Sequence, residues 1–415
     1  MRQDWLLRIV LTSTVATAAA CGAEADGRQV QVGEIGFPET PYLALAEAER
    51  QTLADLLAFA SAVANDRTDS LLGPVVAREV ARATVALLPV HVGARAMALD
   101  ESELREVYAQ EPEWELSVRH MVRLVDAADP MAERDRARAV AEDVAARAAA
   151  AADFATLAAE FSEEPGAAER GGLLQPGRRG SWVEPFWEAA VALGPGEVSG
   201  VVQTEYGYHV LRLDERRPVP FEEANRSAIL ARAVPPDLAA DAMEAWAADD
   251  GRIFLDPPAV QRARDYVLGG AAVPDSLEIG RSAAGGLYRG RDLAAGWARL
   301  ASEERQALEG ADDLGFAAWI ERDAREMLWA RAGRDTGITP DPRVEAAAAL
   351  DWGSQAATWA VAFGFRPGMT HAQIPDAARQ ALLSGAPEAR SARRELQSLR
   401  PLLRADSPVT LPEPS

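Results

Sequence analysis

The residues whose types most readily do chemistry are few: a single cysteine, Cys21, and four histidines, His91, His120, His209 and His371. No two histidines stand at metal-ligand spacing and no second thiol accompanies Cys21, so neither a metal site nor an internal disulfide is expected. The chain also lacks a phosphate-cradling glycine loop and a nucleophile elbow, and no cofactor is expected. His120 and His209 differ from the other two in their setting. Each falls on the apolar phase of a short alternating run, where an imidazole is held inside and must find hydrogen-bond partners. Such a histidine can orient a polar network or move a proton, and more often it is simply a satisfied structural group.

The elements that must position these residues begin at Leu116, where the periodicity changes. Before it, Thr40-Pro41 gives an N-cap and a first-turn proline for a helix carrying Leu43, Leu45, Leu53, Leu56, Leu57 and Phe59. Val75 to Met97 reads as a second helix, and Asp100 with Glu103 makes a capping box for a third that ends at Glu111-Pro112-Glu113. From Leu116, Val118, His120, Val122 and Leu124 alternate with Arg119, Met121 and Arg123, as in a half-buried strand. Asp129-Pro130 opens a long helix to about Ala150, and Asp153 caps another with Phe154, Leu157, Ala158 and Phe161 on one face. A glycine-rich stretch around a short strand follows, then a brief helix from Pro185 to Ala192 and a closing hairpin, Val198 to Gln203 with Tyr208 to Leu213. The order is β-α-α-β-α-β-β. After Pro218 the strand signals fade and helical patterns return.

The net charge of −21, from 64 acidic against 43 basic residues, repels a phosphate backbone, and nucleic acid is excluded as a partner. The first twenty residues carry Arg2 and Arg8, an apolar stretch from Ile9 to Val15, and Ala18-Ala19-Ala20 before Cys21. This is the pattern of a secretory signal, too short to span about 30 Å of hydrocarbon as an ordinary transmembrane helix. Small residues running into a cysteine resemble the bacterial lipobox, although Ala18 stands where leucine is usual. The resemblance implies that Cys21 becomes a lipidated N-terminus facing the periplasm, and Gly22 after it favours the outer membrane in a Gram-negative cell.

Six pieces between Leu116 and Arg216 stand in an order and spacing that resemble the parvulin family of peptidyl-prolyl isomerases, most closely the SurA and PrsA kind of envelope foldase. They are Val118-Arg119-His120-Met121-Val122; Asp153-Phe154 with Leu157-Ala158 and Phe161-Ser162; Gly171-Gly172; Pro185-Phe186 with Ala189; Gly196-Glu197-Val198-Ser199; and Thr204-Glu205-Tyr206-Gly207-Tyr208-His209. The resemblance implies an α+β fold: a four-stranded antiparallel sheet flanked by helices, inserted between mostly helical, chaperone-like segments. It implies catalysis of rotation about Xaa-Pro amides without a covalent intermediate. Phe186 falls at the position of the main wall of the proline pocket, with Leu173 and Trp182 at two other pocket positions. His120 and His209 fall at the paired histidines, Thr204 at the hydroxyl that completes their network, and Glu164 at the catalytic position where cysteine or aspartate is usual. Leu174 replaces a common glycine, and Trp182 replaces an aliphatic residue.

The expected layout is a signal peptide at 1–20, a lipidated tether at 21–39 and an N-terminal helical domain at 40–115. The isomerase domain follows at 116–216, then a helical segment and linker at 217–280, a C-terminal helical domain at 281–406 and a disordered tail at 407–415. Two functions compete: a proline isomerase assisting exported polypeptides, bound to the membrane through its lipid, and a catalytically weak parvulin-fold chaperone that only grips extended chain.

Overall fold

In the computed structural model, residues 28–126 and 128–412 are described, so the expected signal peptide and Cys21 lie outside the described residues. The chain divides into two compact units, one of residues 87–248 and one of residues up to 86 together with those from 249. Each is α+β.

In the 87–248 unit, the alternating run becomes a strand over Trp114–Leu124, paired antiparallel with Gly207–Pro218, which in turn pairs with Val202–Thr204. The closing hairpin is therefore lopsided: Val198 makes only an isolated bridge to Arg212, and the ladder proper begins four residues later. The fourth strand is reduced to bridges along the free edge of Trp114–Leu124, with Leu173 opposite Arg119 and Gly177 opposite Leu116. Backbone bonds nevertheless knit it in, from His120 N to Gly172 O at 2.9 Å and from Leu174 N to Val118 O at 3.0 Å. Gly172 lies at φ +73°, and a Cβ there would stand 2.4 Å from the His120 carbonyl oxygen, so this close approach needs glycine.

Alternation divides the sheet into two packed faces. Met121, Tyr208 and Val210 meet helices Met131–Ala149 and Phe154–Phe161, the second capped by the Asp153 carboxylate, which accepts from Thr156 N at 3.0 Å. Leu116, Val118, Leu211 and Leu213 meet Phe186, Trp187 and Ala190 of helix Glu184–Ala192. His120 and His209 ride on this second face. Helices Glu101–Gln110 and Arg226–Ala233 share a smaller core, and the Tyr108 hydroxyl donates to Val219 O at 2.6 Å, fastening the domain's exit.

The other unit corrects several boundaries. Residues 29–38 are not tether: Gln29–Val32 and Ile35–Pro38 form a hairpin, and Val30, Val32, Ile35 and Phe37 are buried. Nor are residues 407–412 a disordered tail, because Val409–Thr410 pairs with Gln31 and Val32 and Ser407 is buried. The N-terminal and C-terminal helical segments do not form separate domains. Leu53, Leu56 and Phe59 of helix Glu47–Ala64 share one core with Trp359, Phe363, Ile374 and Leu402. The reason is that helix Glu47–Ala64 is buried on every side from Leu53 to Ala64, more than its neighbours in sequence cover. Residues 217–280 likewise hold more than linker, since Ile253–Leu255 joins Glu278–Ser282 and Leu287–Arg289 in a further three-stranded sheet. Beneath that sheet Arg78, fully buried, is ion-paired with Asp323, which also accepts from the Tyr288 hydroxyl, while Asp292 pairs with Arg331.

Candidate functional site

The His120 strand and the His209 strand are in register with Val122 opposite His209, so the two histidines are diagonal neighbours on one face. Their rings stack, centroids 5.6 Å apart and 16° from parallel, with the two Nδ1 atoms 3.4 Å apart. Thr204, at the end of the edge strand, places its Oγ1 2.8 Å from His209 Nε2. At the other end, the chain leaving helix Phe154–Phe161 brings Glu164 Oε2 to 2.7 Å from His120 Nε2. Ser162 fixes that turn: its Oγ accepts from Val122 N at 3.2 Å and from Glu164 N at 3.4 Å.

Hydrogens in this chain follow from its ends. With Glu164 as a carboxylate, His120 donates from Nε2 to Oε2. Its Nδ1 is then a lone pair that accepts from His209 Nδ1–H. His209 Nε2 in turn accepts from the Thr204 hydroxyl, which itself accepts from Tyr206 N at 3.1 Å. In this arrangement every donor has one acceptor. Burial first, then the neighbouring His120, hold His209 down from 6.5 to about 4, with Glu164 acting in the opposite direction.

That shift carries a stability consequence. Between pH 6.5 and about 4 the unfolded chain takes up a proton that folded His209 refuses, so stability falls as pH drops through this window and the loss is complete below it. The expected loss is about 3 kcal/mol, at 1.36 kcal/mol per unit. Urea unfolding at several pH values should show it, with a flatter pH dependence in His209→Asn; an equal slope in both proteins would contradict the assignment.

Phe186 closes the site from the helix side, its ring edge-on to both imidazoles at centroid distances of 5.6 and 5.5 Å. Trp182 lies tilted over Phe186 at 5.2 Å and leaves Phe186 only 4% exposed. Its indole rests on Gly177, where a Cβ would come within 2.7 Å of the ring. Leu174 packs into this apolar cluster; Leu173 is not part of it and stands opposite Arg119 along the sheet edge. The structure thus gathers His120, His209, Thr204, Glu164, Phe186 and Trp182, and puts Leu174 where Leu173 was expected. Arg170 is a residue the sequence reading passed over: its Nη2 stands 3.3 Å from Glu164 Oε2. A basic residue just before the paired glycines was its only signal.

Comparison with known proteins matches residues 120–215 to the family described as Rotamase, PPIC-type PPIASE domain. Over 97 residues the chain is 39% identical to Chaperone SurA of Nitrosospira multiformis, covering 23% of this chain and 22% of that one. Over 76 residues it is 41% identical to Foldase protein PrsA 3 of Bacillus anthracis, covering 18% and 27%. The match spans about a quarter of the length of these curated relatives. Among solved structures, PrsA from Bacillus cereus aligns over 39% of this chain and 54% of its own, at 24% identity and a TM-score of 0.25.

Proposed function

From residues 120–215 being a parvulin domain of the PpiC type, we propose that the protein is a peptidyl-prolyl cis-trans isomerase that assists the folding of exported polypeptides in the cell envelope. The observation that carries this reading is the meeting of Phe186 with the stacked His120–His209 pair at one end of the sheet. An Xaa-Pro amide faces a barrier of roughly 20 kcal/mol because twisting it breaks resonance, and no bond to a nucleophile is needed to lower it. What suits the twisted state is an apolar wall for the pyrrolidine ring beside fixed dipoles that need not reorganise. Phe186, with Trp182 over it, supplies the wall. Thr204, His209, His120 and Glu164 supply a row of dipoles fixed by their mutual hydrogen bonds. With His209 neutral near pH 7, that ring meets the amide as a dipole rather than as a cation. The PPIC-type PPIASE match and the similarity to a probable parvulin-type peptidyl-prolyl cis-trans isomerase of Bordetella pertussis favour catalysis over a binding role alone. The test is the cis-to-trans rate of a panel of Xaa-Pro peptides with the chain beginning at residue 22; no acceleration for any peptide would sink the reading.

We also propose that Cys21 is lipidated and that the residues between it and Gln29 link the folded protein to the membrane. The support is the run of small residues into the only cysteine and the envelope setting of the SurA and PrsA relatives. Expressed in a bacterium with its own leader, the protein should sediment with membranes and take up labelled fatty acid. Cys21→Ser should abolish the label and release the protein into the soluble fraction. Label retained in that variant would overturn the proposal.

A further inference from the structure

The hydrogen-bonded chain from Glu164 to Thr204 could run in either of two directions. In one, Glu164 is a carboxylate and the hydrogens lie on His120 Nε2, His209 Nδ1 and the Thr204 hydroxyl pointing at His209. In the other, a protonated Glu164 donates to His120 Nε2, so His120 carries its hydrogen on Nδ1 and His209 on Nε2. The Thr204 oxygen then accepts from His209, and its own hydrogen is turned elsewhere. The same four contacts of 2.7, 3.4, 2.8 and 3.1 Å serve both. They differ by one proton, and by whether the Thr204 hydroxyl is committed or free.

Arg170 separates the two. Its Nη2 faces the very oxygen, Oε2, that His120 uses, and a guanidinium only donates. It is also fixed in place. Nη2 donates to Pro165 O at 3.2 Å and Nε to Leu173 O at 3.2 Å, so the side chain spans the loop from Glu164 to the sheet edge. At Gly166, φ +78°, a Cβ would stand 2.5 Å from Arg170 Nη1, so the guanidinium passes close over this glycine. An ionised Glu164 then meets the His120 N–H and the charge of Arg170 together, whereas a protonated one would leave the cation with no charge to meet it.

We infer that Arg170 is a positioning residue which, through Glu164, fixes the direction of the His120–His209 hydrogen bonds and commits the Thr204 hydroxyl to His209. The inference deepens the isomerase reading and rests on it for its meaning, yet its own readout is the tautomer of each histidine. That readout is taken without substrate. Nitrogen-15 spectra of the histidine rings in the purified full chain, assigned by replacing one histidine at a time, give it directly. The wild type should carry its hydrogens on His120 Nε2 and His209 Nδ1. Arg170→Met should give mixed or reversed tautomers at both rings, with isomerisation reduced by up to about a hundredfold, the scale of a misplaced site. Arg170→Lys, which restores the charge but not the fork, should return the wild-type tautomers. If Arg170→Met does not fold, Arg170→Gln keeps a donor while removing the charge and should give the same reversal. Wild-type tautomers persisting in the neutral variants would overturn the inference, as would a wild-type His209 with its hydrogen on Nε2. Tautomers that respond as stated in a protein with no isomerisation would leave the inference standing and sink the function instead.

Discussion

Phe186→Ala should lower kcat/KM for Xaa-Pro peptides on the order of a hundredfold. The ring is the apolar wall against which both imidazoles are set, and burying a phenyl group is worth about 3 kcal/mol, with 1.4 kcal/mol for each factor of ten. The same ring is 4% exposed and packs with Val118, Trp187 and Leu211, so its truncation also opens a cavity that costs about 3–5 kcal/mol of stability. Two readouts separate these effects: peptide isomerisation well below the unfolding temperature, and the unfolding transition itself. Phe186→Leu supplies the contrast. It nearly conserves volume, should cost under about 1.5 kcal/mol in stability, and keeps an apolar but not an aromatic wall. A folded Phe186→Ala protein within threefold of the wild-type rate would remove Phe186 from the reaction.

A stability effect as large is expected in the other unit, at Asp323→Ala. Arg78 is fully buried and ion-paired with Asp323, which also takes the Tyr288 hydroxyl, held well above its ordinary range by burial and by the Asp323 charge. Removing one partner of a buried pair strands the other as an unmatched charge, at about 3–5 kcal/mol. In a unit of this size that is a melting shift of about 10 °C. Replacing both partners with apolar residues, Arg78→Met with Asp323→Leu, should recover much of the loss, since the desolvation of both charges disappears with them. Calorimetry on the three proteins decides it; a double variant no better than the single one would show that the pair stabilises more than its burial costs.

The sheet was legible because alternation over Val118 to Leu124 has one reading, and helix Phe154–Phe161 because Asp153 announces its start. The hairpin at 29–38 was legible in principle. Val30 and Val32 on one side of Gly33, at φ +57°, and Ile35 and Phe37 on the other fall opposite each other on one face, but the polar, glycine-bearing stretch next to them suggests a linker. The two-residue strand at Val409–Thr410 has no local signal at all, since it exists only where an open edge waits for it. The site divides in the same way. Phe186, His120, His209 and Thr204 sit on regular elements and follow from resemblance. Leu174 rather than Leu173 packs beside Phe186, because successive residues along an edge strand turn their side chains to opposite faces. The tie between Arg170 and Glu164 spans a loop, and no periodicity encodes it.

The pairing of Gln31 and Val32 with Val409 and Thr410 sets a timetable for the protein's own birth. A ribosome delivers the hairpin and helix Glu47–Ala64 early, and the contiguous 87–248 stretch next. The partners that close the first core arrive only with the last third of the chain. At about 5–20 residues per second, that wait is on the order of fifteen to seventy seconds, as long as an uncatalysed prolyl flip takes. For that interval helix Glu47–Ala64 lacks the partners that cover its apolar residues, while the contiguous middle stretch already has all of its own.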